Sequence, residues 1–223
     1  VSDRVDVGRL VLVPALITLA VTALRLVGEL MRWDPRFFSR EAGGAGAIVG
    51  IVWLVPVFGV YFARKLMSAG EGPAGAGRAL GYALLGLVGF VGAVASSRAL
   101  NLPLAGAIAV LAIVSLAAAY VAYRGWPSLG RVLLCYGLAA RIPVALVMLV
   151  AMMANWGTHY ELGPPRMPPM GLFPKWLLIG LLPQLTLWIG FTVVVGTIFG
   201  SVGAMLASKA QAGGPAVAPT GRA

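Results

Sequence analysis

An all-α integral membrane protein is the fold class this sequence predicts, and three observations predict it. The 223 residues are 60% hydrophobic and only 11% charged, against about a quarter charged in soluble domains. Mean hydropathy is +0.92. The apolar residues are also gathered into stretches close to or above the ~20 residues that span a bilayer core, separated by short polar segments.

Six such stretches fall at about 10–31, 44–66, 79–97, 103–123, 132–154 and 175–207, so residues 1–207 read as one polytopic domain with six transmembrane helices. The first has the apolar core of a signal peptide. Acids as well as arginines precede it, however, and it runs on through Arg25 and Glu29, so it is read as a retained span. The last is long enough to tilt, break or run past the membrane. The segment 208–223, "SKAQAGGPAVAPTGRA", lacks an apolar face and reads as a disordered cytoplasmic tail.

Basic residues set the orientation. Arg4, Arg9, Arg64, Lys65, Arg78, Arg124, Arg131, Lys209 and Arg222 would lie on one side, outnumbering Arg32, Arg36, Arg40, Arg98, Arg166 and Lys175 on the other. Positive charge concentrates on the cytoplasmic side, so both termini are placed there. The odd-numbered stretches each follow a Gly-Arg pair, at Gly8, Gly77 and Gly130, which suggests three helical hairpins with basic feet. The first and third hairpins resemble each other, as an old duplication or the shared needs of anchored helices would both produce. Gly89, Ala93 and Ser97, and likewise Gly196, Gly200 and Ala204, form small-residue rows suited to close helix packing. The topology suits a multi-pass protein of a cell membrane, specifically a bacterial inner membrane.

The formal charge of +10 does not point to nucleic acid, because the basic residues stand singly at the ends of apolar runs. Anionic membrane lipids are the expected partners, with other membrane proteins as further candidates. Cys135 is the one cysteine and lies in an apolar run, where an inert packing role is expected. No zinc-binding His-Glu-x-x-His, phosphate loop or intramembrane aspartate pair is present, and no metal site or cofactor is predicted.

The chemistry that does exist gathers on the non-cytoplasmic side. "NWGTHYELGPPRMPP", residues 155–169, carries the single histidine, and its prolines Pro164, Pro165, Pro168 and Pro169 give it a stiff extended path. It reads as a rigid cap closing over the polar ends of the first and fifth helices. His159, Asp34 and Glu161 are the candidate acids and bases. Arg25, Glu29, Arg32, Arg36, Arg141, Gln184, Asn155 and Tyr160 are the candidate ligand or lipid contacts.

Within this set Arg25 and Glu29 stand one helical turn apart and can pair, with a snorkelling interfacial ion pair as the simplest expectation. Arg141 is harder to accommodate. It lies near the middle of the fifth stretch, where an arginine costs roughly 2.5–3.5 kcal/mol on insertion scales. Gln184, the carbonyl freed by Pro143, a strained approach to Glu29, or a bound anion such as a lipid phosphate are the available compensations.

Sparse chemistry and many glycines favour a non-catalytic subunit or scaffold of a membrane complex. The alternative is a lipid- or anion-handling membrane protein, a lipid-phosphate enzyme or transporter, built on the cluster around Arg25, Glu29 and Arg141. Whether the protein is an enzyme is left open by the residues alone.

Overall fold

The first long helix is inverted relative to one in a soluble protein. Helix α1 (Val7–Leu30) is capped by Asp6, whose side chain accepts from the Arg9 amide at 3.1 Å. Thr18, Thr22, Arg25 and Glu29 recur at helical spacing and are buried, while Leu12, Val13, Leu16 and Leu19 are exposed. A polar face turned inward and an apolar face turned outward is the arrangement that lipid demands. Thr18 and Thr22 hydroxyls donate to the carbonyls of Pro14 and Thr18 at 2.8 and 2.9 Å, satisfying themselves on their own helix.

The structure, a computed structural model, describes residues 5–44, 46–164 and 167–212. Arg4, Pro165, Arg166, Arg222 and the tail beyond Ala212 lie outside the described residues. Among the described residues the regular structure is entirely helical: α1, α2 (Leu54–Ser68), α3 (Ala76–Ala99), α4 (Leu104–Gly125), α5 (Pro127–Ala154), α6 (Leu172–Lys175), α7 (Leu182–Leu185) and α8 (Leu187–Ala212), with single 3-10 turns at Ala42–Gly44 and His159–Glu161.

Five segments are long and apolar enough to cross a membrane: Val7–Leu30, Ala76–Ser97, Leu104–Gly125, Pro127–Ala154 and Leu172–Lys209. The second expected span is the exception. Gly43, Gly44 and Gly46 have φ of 75°, 69° and 78°, which no α-helix accommodates. The chain instead turns back, and the Ile48 and Val49 amides donate to the carbonyls of Arg36 and Phe37 at 3.1 Å each. Only the 15 residues of α2 remain helical, roughly 22 Å of rise against a ~30 Å hydrocarbon core.

The final span is broken, as its length allowed. A π-helical stretch (Trp176–Leu181) joins α6 to α7, because Pro183 has no amide hydrogen to give and its ring crowds the carbonyl of Ile179. Thr186 then leaves helical geometry at φ −121°, ψ −69°, and its hydroxyl donates to the Leu182 carbonyl at 2.7 Å. Beyond this break α8 is continuous through Ala212, so residues 208–212, expected in the tail, extend the helix.

Packing departs from three sequential hairpins. Helices α3 and α4 do form a hairpin, but α1 leans on α5 and barely touches α2, while α2 lies along α8. Helix α8 is the axis of the bundle, in contact with α2, α3, α4 and α5. Its small-residue row serves this packing. A Cβ at Gly59 would stand 2.5 Å from the Gly196 carbonyl oxygen, and one at Gly200 would stand 2.6 Å from Leu129. At Gly89 of α3, by contrast, an added Cβ would meet nothing within 4 Å. Cys135 is also exposed on the bundle surface rather than packed within it.

A core of Phe58, Phe62, Trp126, Leu129, Leu133 and Tyr136 fills the half of the bundle nearer the basic feet. Tyr136 stacks edge-on against Phe58 and Phe62 and shares a 2.8 Å hydrogen bond with Thr18. At that end Glu71 gathers the chain, accepting from the Val5 amide on its side chain and from the Trp126 indole on its carbonyl. The opposite half is where α1 and α5 end and where the polar residues collect.

Candidate functional site

Helix α1 supplies the first part of the site. Arg25 donates through Nε to Glu29 Oε1 at 2.8 Å and through Nη2 to the carbonyls of Ser39 and Gly44, each at 3.1 Å. This pair is no snorkelling surface contact. Arg25 is 8% exposed and Glu29 1%, because the loops on either side fold over it. One guanidinium thereby fixes the loop that follows α1.

The cap loop is fixed by the same carboxylate. Glu29 Oε2 accepts the His159 backbone amide at 2.9 Å, and Glu29 Oε1 lies 2.5 Å from His159 Nδ1. A carboxylate paired with arginine only accepts, so Nδ1 carries the hydrogen, and in the neutral ring Nε2 is left with the lone pair. The hydrogen bonds of His159 among the described residues use its backbone amide and Nδ1, not Nε2. Burial pushes the His159 imidazole below its ordinary range, against the pull of the Glu29 hydrogen bond and with the Arg25 charge adding to the fall. Tyr160 is buried beside it, ring centroids 3.9 Å apart, and burial raises its phenol above the usual range. Gly44 closes the arrangement. Its φ is +69°, and a Cβ there would stand 2.9 Å from Arg25 and 3.0 Å from His159.

Helix α5 and the broken final span supply the rest. Arg141 is 4% exposed, its Nη1 reaches Gln184 Oε1 only at 3.5 Å, and its guanidinium lies 4.6 Å from the Trp188 ring centroid. Its buried Nε has no hydrogen-bond partner, and no acid pairs with it among the described residues. The expected contact with Gln184 is therefore present but long, and the strained approach to Glu29 is not made. The π-helical stretch and the break at Thr186 bring Gln184 and Trp188 to this position.

Between these parts lies a cavity of about 160 Å³ of water-accessible space, room for about five waters or a small headgroup. Arg25, Arg141, Gln184, Thr22, His159 and Tyr160 provide its polar lining, and Ile51, Val52, Val144, Met148, Ile179 and Trp188 its apolar wall. Two guanidiniums line it, and the one carboxylate nearby, Glu29, stands behind the wall paired with Arg25. With His159 neutral the cavity carries one uncompensated positive charge, which in a poorly solvated interior costs several kcal/mol.

The other candidate residues stand apart from this cavity. Asp34 and Arg36 form an exposed fork, Nη2 to Oδ2 at 2.6 Å, which holds the Asp34 carboxyl below and the Arg36 guanidinium above their usual ranges. Glu161 accepts the Gly157 amide at 2.5 Å and so closes its own turn. Asn155 is the left-handed cap of α5 at φ 51°, and Arg32 is exposed at φ 54° just beyond α1. Among the described residues no three His, Cys, Asp or Glu side chains gather where they would hold a metal ion.

Sequence reasoning missed the Glu29 to His159 contact, which joins positions 130 apart, and the carbonyls of Ser39 and Gly44. One usable signal was present: Thr18 and Thr22 extend the Arg25 and Glu29 row, which marks that face as the buried one.

The class defined by fold and site is a helical bundle with spans suited to a membrane and a capped, cationic cavity in one half. No protein-family model matches the chain, no curated protein matches its sequence, and no solved structure matches its fold.

Proposed function

We propose that this is a multi-pass membrane protein that binds an anionic amphiphile in the cavity between α1, α5 and the broken final span. Arg141 carries the reading. A buried guanidinium at mid-helix, with one long contact and an unsatisfied Nε, is stabilised by an anion more than by anything the chain supplies. Arg25 presents a second cation, and the apolar wall suits the hydrophobic portion of a lipid. The distribution of basic residues supports placing the cap on the non-cytoplasmic face, which in a bacterial inner membrane is the periplasmic one.

The scaffold reading gains less. Exposed apolar side chains surround the bundle, but lipid contact demands the same surface. The test is native mass spectrometry of the protein released gently from its own membranes. Wild type retains an anionic lipid, and Arg141→Leu retains none while keeping its thermal unfolding midpoint. Loss of lipid only together with loss of fold, or equal retention by both, overturns the proposal.

A further inference from the structure

The cavity asks for more than negative charge. Arg141 brings an unsatisfied Nε–H, and Arg25 brings Nη1, which enters none of its hydrogen bonds among the described residues. His159 brings the opposite requirement. Glu29 takes the hydrogen on Nδ1, leaving Nε2 as an acceptor on a residue that lines the same cavity. The charged groups facing His159 are Arg25 and Glu29 of α1, with the neutral Tyr160 phenol and Glu161 on its own loop, and Arg141 of α5 lines the same cavity.

A fitting ligand therefore offers acceptor oxygens to two guanidiniums and one hydrogen to an imidazole. A carboxylate or a phosphodiester satisfies the first requirement and brings no hydrogen for the second. A phosphomonoester satisfies both: it has three non-bridging oxygens, and its second proton dissociates near pH 6. That proton either stays on phosphate and is donated to Nε2, or moves to Nε2 and is donated back. Both states contain the same atoms and the same total charge.

We infer that the ligand carries a phosphomonoester group, read jointly by Arg25, Arg141 and the Glu29-oriented His159, with its apolar part against Val144, Met148 and Ile179. This rests on the anion-site reading above and names the headgroup that site selects. A bound ligand without the hydrogen cuts the half-buried Nε2 off from water and leaves it unpaired, which lowers affinity by about fivefold to 150-fold.

The experiment compares phosphatidic acid with phosphatidylmethanol, the same lipid with one phosphate oxygen methylated. Each is supplied at trace level to the full chain in phosphatidylcholine nanodiscs, and retained lipid is read by native mass spectrometry. Wild type should retain phosphatidic acid over phosphatidylmethanol by that factor. His159→Asn keeps an amide NH2 able to donate to Glu29, but its carbonyl oxygen ends about where Cδ2 stands and falls short of the Nε2 position, so its retention of phosphatidic acid should fall toward that of phosphatidylmethanol. Equal retention of the two lipids by wild type overturns the inference and leaves the anion site standing. Retention of neither overturns both. If millimolar inorganic phosphate displaces phosphatidic acid, phosphoryl recognition is supported and the ligand's source is a soluble ion; failure to displace it supports a lipid source. Because the first comparison uses wild type alone, instability of His159→Asn does not decide it.

Discussion

Glu29→Gln is the perturbation that most directly tests how the cap is held. Glu29 is 1% exposed and accepts from Arg25 Nε, the His159 amide and His159 Nδ1 at 2.8, 2.9 and 2.5 Å. Glutamine in the same pose keeps a carbonyl toward the two side-chain donors but turns an NH2 toward the His159 amide, donor against donor. The flipped pose is worse, since it faces both side-chain donors. The variant thus loses one charge-assisted bond and leaves Arg25 buried without its counter-charge. Breaking a buried pair in this way costs about 3–5 kcal/mol. If that cost falls on cap closure, the open population rises about a hundred-fold to a few thousand-fold. Hydrogen exchange at His159, Tyr160 and Glu161 measures it, and protection should fall by that factor while the α8 interior is unchanged. A change of less than tenfold in the cap amides would refute the assignment of Glu29 as its anchor.

Cap closure should weaken in acid. Burial lowers the folded pKa of His159 below its unfolded value, so the open state binds more protons. Stability is then complete above the ordinary imidazole pKa of about 6.5 and is lost as pH falls toward the folded value. Exchange protection, corrected for intrinsic rate, should drop between pH 7.5 and pH 5 in wild type and stay flat in His159→Asn. Arg141→Leu with Gln184→Leu removes both partners of a long buried contact, and thermal unfolding in detergent should show stability unchanged or raised by about 1–4 kcal/mol. A large loss would show that Arg141 holds the fold together. Gly59→Ala pushes a Cβ against the Gly196 backbone and should destabilise by about 1–3 kcal/mol in the same assay, whereas Gly89→Ala, with open space around it, should cost nothing.

Much of the helical layout was legible because lipid imposes a simple rule: apolar runs of bilayer length become helices. The rule failed at 43–53, where three glycines at positive φ outweighed hydropathy. It also did not foresee that α1 would choose α5 over its neighbour α2, since hydropathy marks a span without naming the face it packs. The Arg25 and Glu29 pairing was visible as a one-turn spacing, but its burial was not, because burial depends on loops that return from elsewhere in the chain.

What the sequence by itself determined is the helical class with spans suited to a membrane, the unusual cost of Arg141 and the proline-rich make-up of the loop that carries His159, all consequences of local composition and spacing. Only the tertiary structure decided that Asp34 and Arg36 pair with each other while Glu161 bonds within its own turn and keeps its buried Oε2 unpaired, and that Arg25, His159, Arg141 and Gln184 line one cavity, with Glu29 behind them holding Arg25 and His159. Those contacts join four separate segments. Their geometry is set by which helices pack together and where the last one breaks, and no spacing along the chain encodes it.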